Sequence, residues 1–410
     1  MTQIRAFRPY VVAPQHAIAV VSPAYDSMSP AQRRIFCETH PKNYINTMQV
    51  TDDFPTGERP TEAKVLEANV QQLQVMLENG SYRNSDTDAV FIYQLSIDGH
   101  TQTGVVAEIP VGEYENGSIR RHEETRKEHE ERLSRYLDIV GASSSPICLA
   151  YAGSAQIDAI VESVTQGDPV LDFVLPDGVC QRLWRITDTS QCDDLRQAFS
   201  GIESTYLTDG HHRAASTLRH AASRRAAGKT DGPWDYLLAA LFPADQLRVL
   251  AFNRCVRDLG GRTTTNLLTA LAKDFVVEPI SDDRAAEFPA QRGQFLMLLD
   301  GRAILLTLRR PVLDKSPLRN LDVSILQARI LEPLLGISDV RGDPRLDYVT
   351  GDSGLEGLQA RCSEGWQVGF ACFPTSLAEL MAVADASEVM PPKSTCFDPK
   401  TRSGIFVRMS

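Results

Sequence analysis

The chain has 410 residues, a formal net charge of -11, 42% hydrophobic residues and 23% charged residues. These proportions fit a soluble globular protein with room for a large core and two or three domains. The acidic balance excludes bulk binding to duplex nucleic acid, which needs a basic footprint, but not a nucleotide held at one helix N-terminus.

The cysteines, Cys37, Cys148, Cys180, Cys192, Cys255, Cys362, Cys372 and Cys396, are irregularly spaced and form no Cys-x-x-Cys pair. That spacing suits neither a disulfide framework nor a zinc knuckle, so reduced thiols in a cytoplasmic protein are expected. Residues 1–21 lack the features of a signal peptide. No run approaches the ~20 apolar residues of a membrane span.

In chain order, Ile18–Val21 reads as a short buried strand entering the Ser22–Asp26 loop, and Ser29-Pro30 starts a helix that ends by His40-Pro41. Residues 61–79 carry Val65, Leu66, Val70, Leu73 and Leu77 at helical spacing, with Gly80 as a stop. Strands over Val90–Ile97 and Thr103–Ile109 flank Asp98-Gly99, a hairpin signal. The charged stretch up to Ile139 reads as helix, followed by a Ser-Pro linker and a strand at Ile147–Tyr151. A helix over 155–166, a hairpin around Pro176-Asp177-Gly178 and a helix from Cys192 to Phe199 come next.

Beyond the centre, the apolar runs Tyr236–Phe242 and Leu247–Phe252 read as central strands, and 263–275 as a helix. Asp300-Gly301 marks another hairpin, between 295–299 and 303–308. A helix over 321–335 stops at Gly336; a strand over 366–373 and a helix over 376–386 follow, the latter with Glu379 at its capping-box position. The pattern predicts an α+β or mixed α/β protein, with domains over 1–250 and 251–410 and the 390–400 loop supplied by the second.

Three clusters could carry chemistry. Asp209-Gly210-His211-His212-Arg213 sits where a short strand turns into an alanine-rich helix. Such a turn gathers backbone N–H groups and the positive helix end, and Arg213 with the histidines could hold a phosphate. Asp209 could bind a divalent cation or orient a hydroxyl; the competing reading is a helix cap with half-exposed histidines. In His122-Glu123-Glu124-Thr125 a carboxylate beside a histidine could accept a hydroxyl proton, against the plainer reading of Arg120–Arg135 as a solvated helix face. In Met390–Lys400 two prolines fix a loop presenting Lys393, Ser394 and Thr395, a phosphate or carboxylate contact or else an ordinary basic loop. Walker, Gly-x-Gly-x-x-Gly, Gly-x-Ser-x-Gly and His-Glu-x-x-His patterns are missing.

At these motifs the chain resembles a large bacterial family of domain-of-unknown-function proteins, over nearly its whole length. The resemblance rests on Ser22-Pro23-Ala24-Tyr25-Asp26, Arg121-His122-Glu123-Glu124-Thr125, Asp209–Arg213 and Met390-Pro391-Pro392-Lys393-Ser394-Thr395. Ala24 stands where that family would have a second proline. The middle of the chain is also similar to the ParB/sulfiredoxin superfamily and its free serine kinases, which carry a His-Glu and later the same Asp-Gly-His-His-Arg. The stretch Ala152–Thr205 departs from those compact kinases as an insertion, as does the C-terminal domain.

This resemblance implies a ParB/sulfiredoxin-like nucleotide-binding core. It implies phosphoryl transfer from ATP or ADP to the hydroxyl of a small amino acid or hydroxy acid, serine first, with Mg²⁺. Glu123, with His122 beside it, would be the base and Asp209 would assist the hydroxyl or Mg²⁺. Gly210, His211, His212 and Arg213 would hold the phosphates, with Lys393, Ser394 and Thr395 as further contacts. The expected partners are a small-molecule substrate and a second copy in a homodimer, with no membrane. The alternatives are a non-enzymatic nucleotide-binding regulator and a phosphatase or nucleotide hydrolase.

Overall fold

The structure, a computed structural model, describes residues 1–25 and 28–409, with the backbone alone at Asp282. Asp26 of the Ser22–Asp26 motif therefore lies outside the described residues. The fold is mixed α/β. It divides into one compact unit of Met1–Leu247 with Pro399–Ser410, and another of Arg248–Asp398.

The first unit is built on an eight-stranded sheet. Its strands lie in the order Ile119–Arg120, Thr205–Asp209, Ile147–Tyr151, Tyr236–Pro243, His100–Pro110, Val90–Ile97, Cys180–Ile186, Leu171–Val174. Two neighbouring pairs run parallel, Ile119–Arg120 with Thr205–Asp209 and Tyr236–Pro243 with Ile147–Tyr151. The hairpin at Asp98-Gly99 forms as its dipeptide predicts: both residues take positive φ, 50° and 76°, and Ile97 pairs with His100. The stretch read as an insertion, 152–205, adds the edge strand Leu171–Val174, its inner neighbour Cys180–Ile186 and the helices Ala155–Thr165 and Thr189–Ser200.

Alternation along each strand feeds two cores, one on each face. Phe91, Tyr93, Leu95, Val106, Ala240 and Phe242 point to one face; Val90, Ile92, Val105, Leu149, Leu207 and Leu241 point to the other. Coverage on both sides explains why Tyr236–Phe242 reads as an unbroken apolar run. Gly104 lets this sheet close, because a Cβ there would fall 2.4 Å from the Leu241 carbonyl oxygen.

A smaller sheet orders Tyr82–Asn84, Tyr10–Val12, Phe406–Met409 and Ala142–Ser143. It ties the last strand of the chain into the first unit. Phe406 packs at 5.1 Å from Phe91 and 6.0 Å from Phe7, and Arg408 pairs with the buried carboxylate of Glu108.

Two sequence expectations need correction. Ile18–Val21 does not form a strand; Pro14–His16 open a 3₁₀ turn that continues as the helix Ala17–Val20, since four apolar residues fix no period. Leu247–Phe252 is not one central strand. A 3₁₀ turn at Ala244–Gln246 ends the preceding strand, Leu247–Ala251 are half-buried, and only Val249–Leu250 and then Phe252–Val256 are extended.

The second unit holds a six-stranded antiparallel sheet. Its order is Phe275–Ile280, Arg302–Leu308, Gln294–Leu299, Val368–Cys372, Phe252–Val256, Leu346–Thr350. Asp300-Gly301 forms its hairpin, again with both φ angles positive, 50° and 69°. The helix read over 321–335 carries a π stretch at Gln327–Leu331 and ends at Gly336 with φ 70°.

Phe406 is fully buried against two other rings, so Phe406→Ala should lower stability by about 3–5 kcal/mol, read from urea unfolding. A loss under 1 kcal/mol would mean that the C-terminal strand is not part of the first unit's core.

Candidate functional site

The site grows from one backbone constraint. Thr205–Asp209 ends at Gly210, whose φ of 94° reverses the chain into the helix His211–Ala226. A Cβ at Gly210 would crowd Ile147 Cγ2 at 3.0 Å and Arg213 Cζ at 3.1 Å, so only glycine suits this turn. The first N–H groups of the helix lack intrahelical acceptors and carry the positive end of its dipole. No acidic residue occupies the first turn.

The second element arrives by sheet pairing. Ile119 pairs with Thr205 and Arg120 with Tyr206 in parallel, so both strands leave the sheet at the same edge. Two residues further on, His122 and Glu123 emerge beside Asp209 and Gly210. The His122 ring stands edge-on to the His211 ring, centroids 4.6 Å apart at 89°. Glu123 Oε2 lies 3.8 Å from His211 Nδ1.

Burial decides the charge here. His122 is 1% exposed, and loss of solvent, partly offset by a backbone contact at Leu207 and by Asp209, lowers its pKa to about 4. His211 is held well below its ordinary value, first by burial and then by His122 and His212. Both rings are therefore neutral near pH 7, and the Glu123–His211 approach is a close contact rather than an ion pair.

Asp209 faces cations. Arg213 donates to Asp209 Oδ2 and also to the Pro146 carbonyl at 2.5 Å. Lys400 Nζ lies 3.6 Å from Asp209 Oδ1. Behind the turn, Thr208 donates to the Cys148 carbonyl and Cys148 Sγ meets Thr401 Oγ1 at 3.3 Å. Lys400 and Thr401 were missed as site residues. Nothing in the local sequence signals that Pro399–Ser410 return to the first unit.

His212 sits 5.1 Å from His129 on the helix Lys127–Ile139. Glu130 on that helix accepts from Thr125 and, at 2.8 Å, from Arg219, and these bonds, the first foremost, hold its carboxyl below the usual range. The charged helix thus docks on the motif helix instead of presenting a purely solvated face. The first unit accordingly gathers His122, Glu123, Asp209, Gly210, His211, His212 and Arg213. Lys393, Ser394 and Thr395 belong to the second unit, where Lys393 has a φ of 57° and Ser394 donates to the Pro391 carbonyl at 2.7 Å.

The arrangement combines helix N–H groups, two cationic side chains, neutral imidazoles and a carboxylate that is 35% exposed. Such a set can neutralise a bound anion while presenting a proton acceptor next to it. Among the described residues, no cluster of three or more His, Cys, Asp or Glu could cage a metal ion, and no helix is long and apolar enough to cross a membrane.

A family model described as "Protein of unknown function (DUF1015)" matches residues 4–324, and the chain belongs to that family. No curated protein matches the chain. Among solved structures it is similar to a mutant free serine kinase in complex with ADP, at 13% identity and a TM-score of 0.36, covering 73% of this chain and 92% of that one. It is also similar to C-terminally truncated SbnI from Staphylococcus aureus, at 12% identity and a TM-score of 0.39, covering 74% and 86%. A conserved hypothetical protein from Pyrococcus furiosus matches at 11% identity and a TM-score of 0.34, covering 74% and 95%. What those proteins bind is a property of those proteins.

The depressed pKa of His122 has a pH consequence. Between its ordinary 6.5 and about 4 the unfolded chain binds the proton that the folded chain refuses, so stability falls as pH drops through that window. The loss should be on the order of 3 kcal/mol. His122→Asn should flatten the slope of urea midpoint against pH, and an unchanged slope would contradict the buried neutral ring.

Proposed function

We propose that this DUF1015 chain is a small-molecule kinase. It moves a phosphoryl group from ATP or ADP to the hydroxyl of a small amino acid or hydroxy acid, with serine the first acceptor to test. The observation that carries this reading is that Glu123 stands 3.8 Å from His211, the first residue of the helix whose N-terminus forms the anion site. A proton acceptor and a phosphate cradle are thereby one side chain apart.

Phosphoryl transfer asks for positioning and charge neutralisation more than for covalent chemistry. The acceptor oxygen attacks the terminal phosphorus, its proton passes to the Glu123 carboxylate, and ADP or AMP leaves. Gly210 allows close backbone approach, and the N–H groups of His211, His212 and Arg213 with the Arg213 guanidinium receive the phosphates. Neutral His211 can donate one hydrogen bond without adding a charge that would compete with Glu123. His122 fixes the ring of His211 by edge-on packing.

Mg²⁺ bound to a nucleotide needs only one or two protein carboxylates, and Asp209 supplies one. The ion would contribute charge neutralisation on the transferred group. Lys400 and Arg213 hold Asp209 in place in the meantime.

The test is direct. The protein is incubated with Mg²⁺, labelled ATP or ADP and a panel of hydroxylated metabolites that includes serine. The expected result is a phosphorylated acceptor whose formation falls by roughly 10²–10⁴-fold in Glu123→Gln. Tight nucleotide binding with no acceptor phosphorylated would replace the kinase with a regulatory binder. Phosphate released without any acceptor would replace it with a hydrolase.

A further inference from the structure

The motif helix has a second face, and it closes a cavity of about 90 Å³ inside the first unit. Arg213, Ser216, Thr217 and His220 line it at spacings of three, four and seven, which places them on one side of the helix. The walls are mainly apolar, with Leu133, Leu137 and Leu238 beside the rings of Tyr44 and Tyr136.

Besides Tyr136 Oη, three polar atoms of the lining have no hydrogen-bond partner: His220 Nε2, Trp234 Nε1 and Ser143 Oγ. His220 is 2% exposed. Buried polar groups are nearly always satisfied, and leaving one unmade costs about 1–3 kcal/mol. Three such atoms around one apolar cavity point to a ligand with a polar edge and flat apolar faces.

The charge of that ligand portion follows from the lining. Burial lowers the His220 pKa, so its ring is neutral. Arg408 is engaged by Glu108, and Arg213 by Asp209 and Pro146. Apart from Arg213, whose guanidinium is held at the anion turn, no cationic or anionic side chain of the lining is left to match a charge. A neutral heteroaromatic ring fits: Trp234 donates to a ring nitrogen or carbonyl, Ser143 donates or accepts, and the His220 tautomer adapts to the group it meets.

Arg213 belongs both to this cavity and to the anion turn. At about 1.5 Å per residue, the helix rises about 10 Å from Arg213 to His220. That span is comparable to the reach of a nucleotide from its phosphates to the far edge of its base. We propose that the cavity takes the heteroaromatic base of the nucleotide whose phosphates sit at Asp209–Arg213, with His220, Trp234 and Ser143 reading the base edge. The inference rests on the nucleotide-binding reading given above and adds to it the location and chemistry of the base subsite.

The experiment is calorimetric titration of the full chain with adenosine, ADP and inorganic pyrophosphate. His220→Phe and Trp234→Phe each remove one polar contact, and thermal melting verifies that they fold. The expected result is that both variants bind adenosine and ADP roughly tenfold more weakly, or worse, with pyrophosphate affinity unchanged. Arg213→Ala should do the reverse, weakening pyrophosphate and ADP while sparing adenosine.

ADP binding that survives both cavity variants but is lost in Arg213→Ala would overturn the base assignment and leave the phosphate site standing. Adenosine binding lost in the cavity variants, with no affinity gained from phosphates, would support the base subsite and overturn the phosphate reading. A wild-type protein that binds neither adenosine nor ADP would overturn both, leaving the cavity to ordered water.

Discussion

The site depends on a two-residue stretch of parallel sheet. Ile119–Arg120 pairs with Thr205–Tyr206, and parallel strands must leave a sheet at the same edge. An antiparallel pairing would send His122-Glu123 away from Asp209-Gly210. A one-residue slip would turn His122, now 1% exposed, toward the opposite face. Ile119 is fully buried, so the short strand is held by its core contact as well as by its hydrogen bonds. The tight turn at Gly210 then converts the end of the neighbouring strand into a helix N-terminus beside the emerging carboxylate.

The charges around that edge are sorted by burial. The two innermost imidazoles, His122 and His211, are neutral because they lie out of water. The positive charge is concentrated on Arg213 and Lys400, both turned toward Asp209. Glu123 and Asp209 therefore stand in different settings, one beside a neutral ring and the other between cations. Paired carboxylates whose environments differ in this way can take different roles. On the proposed reading, one helix would offer its N-terminus to an anion and its flank, through His220, to a neutral ring, so one element would organise both ends of the ligand.

Much of this was legible in the sequence, and the exceptions have physical causes. Asp98-Gly99 and Asp300-Gly301 named their turns because a two-residue hairpin needs positive φ at both positions. Ser29-Pro30 and Ser376 with Glu379 marked helix starts, and the structure closes both with reciprocal caps, Ser29 with Gln32 and Ser376 with Glu379. The Asp209–Arg213 turn stood out because strand pattern, glycine and helix pattern met within a few residues. Ile18–Val21 misled because four apolar residues satisfy either period. Lys400 was invisible as a partner of Asp209, since no local pattern says that the tail re-enters the first unit. The cavity was equally hidden: His220, Trp234 and Ser143 become a group only when a helix, a 3₁₀ turn and a short strand close around one space.

The central claim is that the His122-Glu123 edge and the Asp209–Arg213 turn form a single ligand site. Its most direct test is titration of ADP into ¹⁵N-labelled protein while the backbone amides are followed by NMR. The account predicts that the amides of His122, Glu123, His211, His212 and Arg213 shift together along one saturable curve. Shifts confined to one of the two segments, or saturating at different concentrations, would contradict it.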